Sequence, residues 1–96
     1  MEWTWDPKKN RANRREHGFG FETALLVFDD ALALTERDPH ANEERWRTIG
    51  TAAHIMIFVA HTWPEEDAKT GEEKGRNISA RKATRRERKI YEEGKF

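Results

Sequence analysis

Ile78-Ser79-Ala80-Arg81-Lys82-Ala83-Thr84-Arg85-Arg86-Glu87-Arg88 decides the fold, because a strand pattern gives way here to the start of a helix. Thr84 is followed three residues later by Glu87, the capping-box spacing in which hydroxyl and carboxylate satisfy each other's backbone N–H groups. In the strand before it, alternation places Ile78 and Ala80 on one face and Asn77, Ser79 and Arg81 on the other. The junction crowds arginines and a lysine beside unpaired N–H groups and the positive end of a helix dipole, which favours a phosphate. Guanidinium groups add two-point contacts. The same arginines read equally well as the solvated face of a terminal helix.

Upstream, His54 to His61 reads as a strand, and Ile55-Met56-Ile57-Phe58-Val59-Ala60 within it is apolar on both faces. It therefore belongs in the middle of a sheet, covered by helices on one side and by something else on the other. Residues 31–35, 45–51, 54–61 and 76–80 share the period of two, predicting an antiparallel meander of about four strands. Pro39 with His40, Ala41 and Asn42 marks its first turn, residues 51–53 the second, and residues 63–75 a long polar loop. Trp3 and Trp5 form a short possible strand. Asp6-Pro7 then starts a helix that His17-Gly18 stops. A second helix is expected over residues 22–28, with an apolar stripe of Ala24, Leu25, Val27 and Phe28 ended by Asp29-Asp30. Ile90 and Tyr91 give the final helix a thin stripe, enough to lie across the sheet edge with its arginines partly exposed. The expected fold class is thus α+β: two N-terminal helices, an antiparallel sheet and a C-terminal helix, in one domain spanning residues 1–96.

Basic and acidic residues balance at 18 each, so net charge says nothing about partners and its distribution becomes the evidence. Lys8, Lys9, Arg11, Arg14 and Arg15 cluster near the start; Arg76, Arg81, Lys82, Arg85, Arg86, Arg88 and Lys89 cluster near the end, with Glu65, Glu66, Asp67, Glu72 and Glu73 between. A folded chain can present a basic face and an acidic one despite neutrality. The absence of cysteine excludes disulfides and thiol chemistry and suits the cytoplasm. The longest apolar run is far too short to span a bilayer, and the N-terminus lacks a signal-peptide pattern, so no membrane partner is expected.

A polar sheet face leading into an arginine-rich helix start is a plausible floor for an RNA strand. Arg45 or Arg47 could join Arg81 there, whereas Trp46, pointing the other way, reads as core, as do Trp3 and Trp5; Trp63 is uncommitted. His61, at a strand end on the side of Ile57 and Val59, is a candidate acid or base, since imidazole titrates near neutrality. A structural hydrogen-bonding role competes for it, and more strongly for His40 and His54. His17 is explained by its place at a helix end, interacting with the last carbonyls and stacking on an aromatic ring. The histidines lack ligand spacing, so no metal and no cofactor are expected.

Over nearly its whole length the chain resembles the BrnT toxins of bacterial BrnT/BrnA toxin–antitoxin pairs. The likeness rests on Trp5-Asp6 with Lys9, Asn10 and Asn13, on His17-Gly18 with Phe21-Glu22 and Ala24, and on Val27-Phe28 with Asp29. It continues through Glu44-Arg45-Trp46 with Gly50, His61-Thr62, and the run from Ile78 to Thr84 with Glu87-Arg88 and Tyr91. The resemblance implies a RelE-like fold and a metal-independent endoribonuclease that arrests translation and growth. It implies neutralisation by a BrnA-like antitoxin with a ribbon-helix-helix domain, through which promoter DNA is bound indirectly. On this reading Arg81 and Arg85 contact the phosphate or transition state, His61 is the candidate acid or base, and Arg45, Lys82 and Arg88 bind RNA. A non-enzymatic binding module, whose arginines dock an acidic partner or nucleic acid, is the alternative. Two departures from the family pattern stand out: Gly20 occupies the usual place of a serine cap, and the loop over residues 63–75 is longer than the family hairpin.

Overall fold

In the computed structural model, which describes residues 2–39, 42, 44–63 and 65–96, the first helix begins and ends where the sequence places it. The Asp6 carboxylate accepts from Lys8 N–H at 2.9 Å, Pro7 takes the first helical position, and α1 runs Pro7–His17. Gly18 closes it in the left-handed region, φ 81°, donating its N–H to the Arg14 carbonyl at 3.1 Å. The second helix is shorter than expected. It is α-helical only over Phe21–Ala24 (α2) and tightens into a 3-10 helix over Leu25–Asp29. Phe21, Ala24 and Val27 are almost wholly buried at a spacing of three, the period at which a 3-10 turn stacks side chains.

The missing serine cap of α2 is replaced from a distance. Asn10 Oδ1 accepts from Phe21 N–H at 2.8 Å, and Asn10 Nδ2 donates to Glu22 Oε1 at 3.0 Å. A Cβ at position 20 would lie 2.7 Å from Asn10 Oδ1, so the glycine makes room for the side chain that does the capping.

The sheet contains β1 (Glu2–Thr4), β2 (Leu34–Arg37), β3 (Trp46–Ala52), β4 (Ile55–His61), β5 (Glu65–Glu66) and β6 (Glu73–Lys82). Its order is β1-β6-β4-β3-β2, with β5 also on β6. The expected antiparallel meander is its centre, but the sheet is six-stranded and mixed, because β1 joins β6 in parallel. Trp3 fixes that pairing by laying its ring against Gly75, where a Cβ would meet it at 2.6 Å. The strand expected at 31–35 starts later, at Leu34, and the turn expected at 51–53 falls at Ala53 and His54, both with positive φ. The long loop is largely a β5–β6 hairpin, its turn held by Asp67 accepting from Lys69 N–H at 2.8 Å. Of the turn expected around Pro39, His40 and Ala41 lie outside the described residues.

Central β4 has two covered faces, as its doubly apolar sequence requires. Ile57 and Val59 meet Phe21, Ala24 and Val27 on one side. On the other, Phe58 pairs with Ile49 and shares a cavity with Ile90 of α3 (Arg85–Glu93). Thus α3 covers the second sheet face rather than the sheet edge. Its far turn is pinned by Tyr91, which donates to Asp30 Oδ2 at 2.7 Å, the oxygen that also accepts from Thr51 N–H at 2.9 Å. Simple alternation fails at one point in β6: Ala60 pairs with Ser79 but His61 pairs with Asn77, leaving Ile78 as a bulge. Asn77 is therefore buried with His61, and only Ser79 and Arg81 share the opposite face.

Candidate functional site

Arg81 is held on three sides. Its Nη1 and Nη2 donate to Glu87 Oε1 and Oε2 at 2.7 and 3.0 Å, Nη1 also reaches the Lys82 carbonyl at 3.3 Å, and its guanidinium carbon lies 4.2 Å from the centre of the Phe58 ring. Burial alone would raise the Glu87 carboxyl. The Arg81 guanidinium and the Thr84 N–H outweigh it and hold that carboxyl below its ordinary range. The capping-box residue is therefore also the anchor of the arginine. With 38% of its side chain exposed, Arg81 keeps a solvent-facing edge.

Because β1 pairs with β6 only as far as Arg76, the outer edge of β6 beyond it faces α1 across an open groove of 480 Å³. Arg81 and Ser79 line it from β6, Arg45 from the residue before β3, and Lys9, Asn13 and His17 from α1. Three separate elements thus bring a lysine and two arginines to one groove. Glu16 of α1 lines it as well, so three cations and one carboxylate meet there, a local excess of positive charge that the net charge conceals. The sequence offered Arg45 or Arg47 as a companion of Arg81; Arg45 lines this groove, and Arg47 pairs with Glu36. Lys9 and His17 were not among the expected site residues, although their spacing of eight, with Asn13 midway, puts them on one helical face.

The other expected residues lie elsewhere. Arg85 and Arg88 line a shallow basic hollow along α3 with Arg86 and Lys89, and Lys82 is exposed at the end of β6. His61 is fully buried on the sheet face opposite Arg81. Its Nδ1 donates to the Thr62 carbonyl at 2.8 Å, so Nε2 accepts from Thr48 Oγ1 at 2.7 Å, and Thr48 in turn meets Thr35 Oγ1 at 2.7 Å. Burial depresses its pKa against the Thr62 bond, and the ring sits among Trp3, Phe28 and Trp63. His54 is exposed in the β3–β4 turn. No group of His, Asp and Glu suited to a metal ion occurs among the described residues.

The fold and site together define a small α+β protein with an open groove lined by lysine and arginine. Residues 5–87 match the family model described as ribonuclease toxin, BrnT, of type II toxin–antitoxin system. The chain belongs to that family; it is a ribonuclease toxin acting on RNA and paired with an antitoxin. The matched residues include Lys9, His17, Arg45, Arg81 and Glu87 and stop short of Arg88. No curated protein matches the chain.

Proposed function

We propose that the chain cleaves RNA without a metal cofactor, in the groove between α1 and β6. Convergence of Lys9, Arg45 and Arg81 on that groove is the observation that carries this reading. In-line attack by a ribose 2′ oxygen builds negative charge on the phosphoryl oxygens, and fixed guanidinium groups offset it without reorganising. Arg81 bears on the reacting phosphate. A guanidinium carries five N–H donors, so the bonds to Glu87 and Lys82 orient Arg81 and still leave donors for the phosphate. Arg45 assists it, and Lys82, Arg85 and Arg88, outside the groove, hold the flanking strand by charge. His61 supports the β3–β4 ladder and does not meet RNA.

The partner on this reading is a BrnA-like antitoxin with a ribbon-helix-helix domain, which brings the pair to promoter DNA. An acidic or carbonyl-rich segment of it competes with RNA for the arginines of β6 and α3. The toxin acts in the cytoplasm, where cleavage of RNA arrests translation. The test is to incubate the purified chain with RNA in excess EDTA and analyse the ends. Products bearing 2′,3′-cyclic phosphate and 5′-hydroxyl ends support the reading; cleavage that occurs only after a divalent cation is restored rejects it.

A further inference from the structure

Whatever offsets charge on the phosphate, cleavage also needs a group to take the 2′-hydroxyl proton, and arginine and lysine, protonated at neutral pH, do this poorly. The described residues lining the groove include an imidazole, that of His17, a side chain whose ring nitrogen can accept a proton. We propose that His17 is the general base of the ribonuclease, an inference that rests on the groove as the site of cleavage.

Three observations support the placement. His17 lines the groove together with Arg81 and Arg45 and has 35% of its side chain exposed, so it is reachable by substrate where His61 is not. Its expected role as a cap of α1 is taken by another group: the Gly18 N–H closes the last turn onto the Arg14 carbonyl, and no hydrogen bond joins the His17 ring to a backbone carbonyl among the described residues. The ring is nonetheless positioned. It lies 6.4 Å from the Phe19 ring, and Phe19 is buried with its carbonyl held by Asn13 Nδ2 at 2.9 Å.

The charged groups of the groove fit the step. Lys9 and Glu16 come from α1, Arg45 from the residue before β3 and Arg81 from β6. The imidazole takes the 2′-hydroxyl proton as the 2′ oxygen bonds to phosphorus and the bond to the 5′ oxygen breaks. The departing 5′ oxygen takes a proton from water, and His17 then returns its own to the hydroxide left behind, so atoms and charge balance with no redox change. While protonated, the ring faces the Glu16 carboxylate, whose Oε2 lies 3.9 Å from Nε2. Glu16 itself is 70% exposed, and a carboxylate is in general a weaker base than an imidazole.

The experiment compares wild type with His17→Gln, measuring single-turnover cleavage of a short RNA across pH 5–8, binding of its all-2′-deoxy analogue, and thermal unfolding. The expected result is a loss of about a hundredfold or more in rate, with the rising acid limb of the pH profile abolished and analogue binding within about twofold of wild type. His17→Gly with added imidazole should regain part of the rate. Cleavage by His17→Gln within a few fold of wild type and with an unchanged pH profile would overturn the assignment while leaving the groove as the site. A loss confined to analogue binding would instead make His17 a phosphate contact and overturn it too. Should both variants unfold, the wild-type imidazole proton resonances decide: they must shift when the analogue binds, and unmoved resonances reject the proposal. A wild-type chain that cleaves no RNA removes the groove reading together with His17.

Discussion

Arg81 and Glu87 meet through two parallel hydrogen bonds, of 2.7 and 3.0 Å, that tie the end of β6 to the first turn of α3. The same carboxylate accepts from Thr84 N–H at 2.8 Å while Thr84 Oγ1 accepts from Glu87 N–H at 3.2 Å. One side chain therefore caps a helix and aims a cation. Glu87→Gln keeps an oxygen for Thr84 but loses the charge and one arm of the fork. A stability loss of about 1 kcal/mol is expected in urea unfolding. Cleavage should fall further than that loss explains, because Arg81 is then free to swing. A variant as active as wild type would show that the fork serves only the helix.

Arg81→Ala should slow cleavage by about a hundredfold, the usual effect of removing a fixed donor from developing charge. Arg85→Ala, on the far side of the α3 start, should slow it only a few fold and act through RNA affinity. Equal losses at both positions, measured under single-turnover conditions, would move the reacting phosphate from the groove to the helix start.

Acid should destabilise the fold in two windows. Burial alone would raise the Asp30 carboxyl, but Thr51 N–H, Tyr91 O–H and Leu32 N–H outweigh it and lower its pKa from 3.8 to about 2. A depressed carboxylate contributes stability that is present above the ordinary value and lost as pH falls through the folded one, here between 3.8 and about 2. Burial likewise depresses His61 from 6.5, so the unfolded chain binds its proton first and stability begins to fall below that pH. Urea midpoints followed from pH 8 to 2 should show both declines. Asp30→Asn should reduce the lower one, to which the lowered carboxyls of Glu22, Asp67 and Glu87 also contribute, and leave the upper in place.

Gly20→Ser restores the family's serine yet should weaken this chain by roughly 1 kcal/mol, because its Cβ displaces the Asn10 side chain already serving as the cap. Combined with Asn10→Ala, the serine needs only the flexible ends of Arg14 and Glu22, each 2.7 Å from that Cβ, to move aside before it takes over, so the double variant should be more stable than Asn10→Ala alone. Additive losses in chemical unfolding would show that the two positions are not alternatives.

Charge reversal at Arg88 tests the antitoxin surface apart from catalysis, since that side chain lies in the hollow along α3 and not in the groove. Arg88→Glu should weaken antitoxin association, most clearly at low salt, and leave unfolding unchanged. Binding insensitive to both salt and Arg88→Glu would place the antitoxin on another face.

Signals carried within a few residues were legible in the chain itself. Asp6-Pro7 and Gly18 bound α1, Thr84 and Glu87 start α3, and the doubly apolar run to Ala60 marks the central strand, because capping and alternation are local chemistry. Alternation offered Arg45 or Arg47 as a companion of Arg81, and only the tertiary structure places Arg45 along the groove and Arg47 against Glu36. What tertiary structure alone decided depends on contacts between distant segments. Trp3 and Gly75 pack β1 beside β6, Asn10 caps a helix eleven residues away, and Tyr91 and Asp30 pin α3 over a sheet face. One bulged residue, Ile78, turns Asn77 into the core, since a shift of one residue reverses the face a side chain occupies. His61 and His17 show the difference most clearly. Residue type and strand position made His61 the candidate for proton transfer and left His17 a helix-end residue, but exposure and company are properties of the folded surface, and they bury the first and leave the second lining the groove.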